Sequence, residues 1–130
     1  MPVEFINPSE LSQGSYSHVA AVSGTGRTLY VSGQVAMDAA GNVVGASFAE
    51  QCERVFQNLG LALAAGGAQF HHIVKMNVYV RDLTAARVRT LRAVRHKHLG
   101  THQPASTLVG VTALVHEELA LEVEAVAVVD

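Results

Sequence analysis

Glu122 and Glu124 stand two positions apart in "LALEVEAVAVVD", a stretch that alternates apolar and polar residues. On a strand that spacing turns both carboxylates to one face, with their Cα atoms about 7 Å apart. Where water is excluded, burial and mutual repulsion raise one of the two pKa values and yield a general acid or base near neutral pH. On an open face they are two solvated acids. The seven histidines (His18, His71, His72, His96, His98, His102, His116) invite a metal reading that their spacing does not support. His96 and His98 diverge on a helix, and Gly100 falls between His98 and His102 where the helix should end, so no metal is expected. Cys52 is the single cysteine, which excludes an internal disulfide; on the inward stripe of a helix it reads as core rather than nucleophile. "SGTGRTLY" has the glycines of a turn but opens a strand, so it is no phosphate cradle. Ser32 in "VSGQV" lacks the strand-to-helix elbow of a serine hydrolase.

Five of the nine lysines and arginines (Arg87, Arg89, Arg92, Arg95, Lys97) fall between positions 87 and 97, and no acid occurs from Leu83 to His116. The stripe reads as a solvated helix face whose partners are acids elsewhere, with an anion- or RNA-binding face as the alternative. No aromatic residue interleaves the cations, which argues against single-stranded nucleic acid. The net charge of −2 gives no whole-chain case for nucleic acid either.

These residues need elements to hold them. At 130 residues the chain is expected to form one domain, residues 1–130, able to bury roughly 68% of the surface its unfolded form exposes. No apolar stretch is long enough to span a membrane, and "MPVEFINPSE" has neither a basic nor an apolar signal region, so the cytoplasm is the expected compartment. Phe48, Cys52, Val55, Phe56, Leu59 and Leu63 recur at helical spacing from Ser47 to about Leu63, with Gly66 and Gly67 to close the helix. A second helix is expected from Leu83 to Leu99, with Asp82 and Thr84 as capping candidates, Val88, Leu91 and Val94 inward, and Gly100 as its stop.

Strands are expected elsewhere. In "TLYVSGQV", Leu29, Val31 and Val35 oppose Tyr30, Ser32 and Gln34; in "HIVKMNVYVR", Val74, Met76, Val78 and Val80 oppose Lys75, Asn77, Tyr79 and Arg81. Further strands are expected at Ser17 to Val22, Ser106 to Val111 and Val3 to Ile6, with "SGTGRT" and "DAAGN" as turns. The order ββ(β)αβαββ predicts an α+β fold: a mixed sheet of about six strands with two helices on its apolar face. The other face, bearing Tyr, Gln, Asn and Glu, predicts a wet cleft or a subunit interface.

"GSYSHVAAVSG", "LYVSGQVAMDAAGNVVG", "VKMNVYVRDL" and "QPASTLVGVTALVHEELALEVEAVAVV", in this order and spacing, resemble the Rid (YjgF/YER057c/UK114) family over nearly the whole chain. The resemblance implies a chorismate-mutase-like fold and a homotrimer with a small-molecule cleft at each subunit interface. It implies no metal or cofactor. In the deaminating members such clefts hydrolyse enamines and imines, 2-aminoacrylate among them. By position, the catalytic glutamate falls on Glu122, the cleft tyrosine on Tyr16, the ligand-lining serine and glycine on Ser32 and Gly33, and the carboxylate-binding backbone N–H on Leu108.

The departure is Ser106, where the resemblance implies an arginine that grips the substrate carboxylate through two charge-assisted hydrogen bonds. A serine is neutral and offers one donor against five. His18, on the same strand face as Tyr16, is one substitute donor when protonated; Arg81 and Lys75 are others. Glu124 is an accessory candidate. The sequence thus points to a small-metabolite-binding protein that hydrolyses an enamine, imine or related C–N compound other than 2-aminoacrylate. A non-catalytic regulatory module and the endoribonuclease activity ascribed to some relatives are the alternatives.

Overall fold

The computed structural model describes residues 3–24 and 26–130. Thr25, in the expected "SGTGRT" turn, and Met1 and Pro2 at the start lie outside them. Strand β1 (Val3–Ile6) pairs antiparallel with β2 (Val19–Val22). After β3 (Arg27–Gln34) come helix α1 (Phe48–Ala65), a short 3₁₀ turn (Phe70–His72), β4 (Ile73–Arg81), α2 (Ala85–Leu99), β5 (Ala105–Val111) and β6 (Leu121–Val129). Four strands form a sheet in the order β3-β6-β4-β5, in which only β4 and β5 run parallel. The β1–β2 hairpin joins its β5 edge through Ser17, which bridges to Ala105 and donates its N–H to Pro104 O at 2.9 Å. This is the mixed α+β arrangement of six strands and two helices that the periodicities imply.

Local chemistry explains both helices. Ser47 accepts the Glu50 N–H at 3.1 Å while Glu50 accepts the Ser47 N–H at 3.2 Å, a reciprocal capping box that fixes where α1 begins. Its inward Cys52, Val55, Phe56, Leu59 and Leu63 are fully buried, and Gly67 takes the left-handed φ of 80° that ends the helix. For α2, Thr84 is the cap, accepting the Arg87 N–H at 3.2 Å; Asp82, the other candidate, instead takes a φ of 52° in the turn before it. Leu91 and Val94 are buried as expected, but Val88 is only half-buried. Gly100, at φ 60°, stops the helix.

The core lies between the helices and one sheet face. Met76, Val78 and Val80 of β4 and Leu121, Val123, Ala125 and Ala127 of β6 are buried against α1 and α2. The β4–β5 register sets Ser106 opposite Met76 and Leu108 opposite Val78, so both share this helix-side face. On the other face stand Asn77 and Tyr79, whose partners across β6 are Glu124 and Glu122. In β3 the expected alternation fails. Val31 pairs with Ala125 but Gln34 with Val123, so Ser32 and Gly33 together oppose Glu124 in a β-bulge. Gln34 therefore leaves the polar row of Tyr30 and Ser32 and comes opposite a core valine.

Candidate functional site

Gln51 is a buried polar residue of α1 whose three hydrogen bonds aim β6. Its Nε2 donates to Gly45 O at 3.3 Å and Glu118 O at 2.9 Å, and its Oε1 accepts the Ala120 N–H at 2.8 Å. This clamp fixes the chain two residues before Glu122. Asn58 does the same for the segment after the bulge, donating to Val35 O and Met37 O at 2.9 Å each.

Glu122 stands half-buried on the polar face, and its carboxylate accepts no hydrogen bond from the described residues. It lies against Gly33, where a Cβ would overlap its carboxylate, so the bulge glycine opens the notch the carboxylate occupies. Glu124 is engaged: it accepts from Tyr79 Oη at 3.0 Å and from Asn77 Nδ2 at 3.5 Å. That bond to Glu124 holds the Tyr79 phenol above its ordinary pKa. Ser32 is exposed beside the notch. Lys75, also on this face, donates to Thr107 Oγ1 at 3.1 Å.

A second cluster lies on the helix side. Tyr16, Ser106 and Leu108 line a recess of ≈ 150 Å³ together with Ser15, Arg92 and Arg95. Gly14 leaves room for the Tyr16 ring, which a Cβ there would meet at 2.6 Å. Because Pro104 O faces Ser17 across the outer edge of β5, strand alternation turns the Leu108 N–H toward that same edge, beyond the bridge at Ala105. Arg95 Nη1 donates to Ser106 Oγ at 3.3 Å and its Nη2 to Ser15 O at 3.0 Å. Burial, and after it the Arg92 charge, hold the Arg95 pKa below its ordinary value. The donors considered for position 106 lie elsewhere. His18 touches the Tyr16 ring edge-on at 5.1 Å, but its Nε2 is bonded to Ser12 O at 2.6 Å and it does not line the recess. Arg81 is drawn to Glu117 O, and Lys75 is on the opposite face.

The sequence-predicted residues thus fall into two groups on opposite faces of the sheet: Glu122, Glu124, Ser32 and Gly33 on one, Tyr16, Ser106 and Leu108 on the other. Two of the remaining histidines and the cysteine are structural. His98 stacks on Phe56 at 5.5 Å and bonds Glu53 at 2.9 Å, while His102 bonds Ile73 O at 2.7 Å. Cys52 is wholly buried, its thiol pushed up to about 12 by desolvation.

The family described as Endoribonuclease L-PSP matches residues 8–129 of this arrangement. The chain belongs to that family, the Rid family. A crystal structure of a Rid-family protein of unknown function from Yersinia pestis superposes with a TM-score of 0.91 at 30% identity, covering 99% of this chain and 100% of that one. The human 2-iminobutanoate/2-iminopropanoate deaminase is 32% identical over 116 residues, 88% of this chain and 80% of its own. The yeast (Saccharomyces cerevisiae) protein MMF1, named as mitochondrial, is 37% identical over 99 residues, 75% of this chain and 67% of its own. Of the residues expected at the site, Ser106 accepts a hydrogen bond from Arg95, which the sequence places only in the basic stripe. Arg95 had been one of five cations in a stripe; the available signal was its i, i+3 spacing from Arg92 with no acid from Leu83 to His116.

Proposed function

We propose that the protein is a cofactor-independent hydrolase of small imines or enamines, working in clefts completed between copies of the chain, with Glu122 as the group that directs water. The observation that carries this reading is the Glu122 carboxylate, unpartnered among the described residues, in the notch that Gly33 opens. A half-buried carboxylate that accepts no hydrogen bond has its lone pairs free for a water and a substrate nitrogen. In the reaction water adds to the C=N carbon, the proton Glu122 takes from it returns to the nitrogen, and collapse of the carbinolamine gives a carbonyl compound and ammonia. A homotrimer is the supporting assembly. The helix-side recess and the Glu122 notch lie on opposite faces of one protomer, so a shared site needs the recess of one copy to face the notch of the next.

The relatives named as imine deaminases agree in substrate class. The endoribonuclease reading has less behind it, because the basic stripe does not act as one surface. Arg87 lies over the Phe48 ring at 4.7 Å, Lys97 bonds Glu53 at 2.8 Å, and Arg95 turns into the recess. The test is ammonia release from enzymatically generated 2-iminobutanoate, compared with Glu122→Gln. The wild type should accelerate hydrolysis and the variant should fall to the uncatalysed rate; equal rates for the two would remove Glu122 from the chemistry.

A further inference from the structure

A cleft of this kind needs something to hold its ligand, and Ser106 carries no charge. The arginines sort themselves by partner. Arg27 donates to Gly66 O, Arg54 to Asn58 Oδ1, Arg81 to Glu117 O and Arg87 to Arg81 O, while Arg89 is exposed. Arg95 differs. None of these arginines pairs with a carboxylate among the described residues, but Arg95 is the half-buried one that lines the recess with Tyr16 and Leu108. Its bonded partners, Ser106 Oγ and Ser15 O, are both neutral. They occupy two of five N–H donors and leave the charge uncompensated. Arg92, one turn earlier, also lines the recess and adds a second positive charge. A cation withdrawn from water without a counter-charge is costly, and an anion entering the recess relieves that cost. The lowered Arg95 pKa, from burial and from Arg92, has the same cause.

We propose that Arg95 is the anchor for the ligand's anionic group, which is a small carboxylate taken by the planar guanidinium fork. Ser106 and Ser15 then act as positioning residues: they hold the fork and leave its remaining donors toward the recess. A recess of ≈ 150 Å³ suits a fragment the size of a short 2-imino or 2-oxo acid. The location rests on the cleft proposed above; what the anchor adds is that the carboxylate is gripped from α2 rather than from β5.

Calorimetry on the full chain tests this with 2-oxobutanoate, its neutral methyl ester and inorganic phosphate. The acid should bind at least about tenfold more tightly than the ester. Arg95→Met should erase that preference, and Arg95→Met/Ser106→Arg should restore it by returning a guanidinium to the recess from the strand. In the wild type, the Arg95 Nε–H resonance should shift with the acid and stay with the ester, a readout that needs no variant to fold. No preference for the acid, tighter binding of phosphate, an unmoved resonance, or wild-type affinity in Arg95→Met would each overturn the proposal. Should Arg95→Met keep full imine hydrolysis while Glu122→Gln loses it, the anchor fails and the hydrolase stands. Arg95-dependent binding without turnover would leave the anchor and sink the hydrolase.

Discussion

Gly33→Ala separates the site from the fold in one methyl group. Gly33 is not among the glycines with positive φ, so an alanine fits its backbone and stiffens the unfolded chain by about 0.4–1 kcal/mol in the protein's favour. The three atoms nearest the new Cβ all belong to the Glu122 side chain: its Oε2, then Cδ and Cγ. The flexible carboxylate end must swing away, by more than an ångström to restore ordinary contact, while the strand stays put. A displacement of about 1 Å at a catalytic group costs on the order of 100-fold in rate, about 2.7 kcal/mol of transition-state stabilisation. Urea unfolding should therefore place Gly33→Ala within about 1 kcal/mol of wild type, while kcat/KM for imine hydrolysis drops about 100-fold. A stable Gly33→Ala with wild-type kcat/KM would refute the reasoning, because the chemistry would then not depend on where Glu122 points.

Other outcomes follow from the same geometry. Gln51→Met leaves the Ala120 N–H and Glu118 O without their partner; at about 1–3 kcal/mol for each buried unpaired group, urea unfolding should show a loss of about 2–5 kcal/mol. Light scattering should give a mass near three times 13.7 kDa, and a monomer would remove the shared cleft. Hydrogen bonds from Lys97 and then His98 hold the Glu53 pKa below its ordinary value, so these contacts stabilise the fold at neutral pH and lose that contribution as pH falls through the carboxylate range. Glu53→Gln should accordingly be less stable than wild type at pH 7, with the gap closing as pH falls through the carboxylate range.

How far the sequence carried depended on the range of the interaction. The ends of α1 were legible because Ser47, Glu50 and the glycines at 66 and 67 act within a turn of themselves, and the inward stripe of that helix repeats often enough to fix its face. The bulge at Ser32 and Gly33 was not. Nothing in "VSGQV" says that β6 will oppose two residues with one, since a bulge is a property of pairing, and so Gln34 was put on the wrong face. Glu122 and Glu124 look interchangeable in "LEVEA", yet Asn77 and Tyr79 of β4 engage only Glu124. The basic stripe was legible as charge and illegible as function for the same reason: each cation took its role from a different non-local neighbour, a ring for Arg87, an acid for Lys97 and a recess for Arg95.

The proposed anchor ties Arg95 on α2 to Ser106 on β5. Nη1 of Arg95 lies 3.3 Å from Ser106 Oγ, so an arginine at 106 would start its side chain against the Arg95 guanidinium and carry a second positive charge into the same recess. At about 4 Å and an effective dielectric of 20 that repulsion is about 4 kcal/mol, and water at the rim reduces it. Ser106→Arg alone should therefore destabilise the protein by about 1–3 kcal/mol. The same change in the Arg95→Met background should cost far less, giving a coupling energy of at least about 1 kcal/mol in the double-mutant cycle. Additivity within about 0.5 kcal/mol would mean that the two side chains do not compete for the space, and the small neutral residue at 106 would then have no connection to the arginine across from it. Measured by urea unfolding without ligand, the cycle tests the steric and electrostatic half of the argument separately from carboxylate binding.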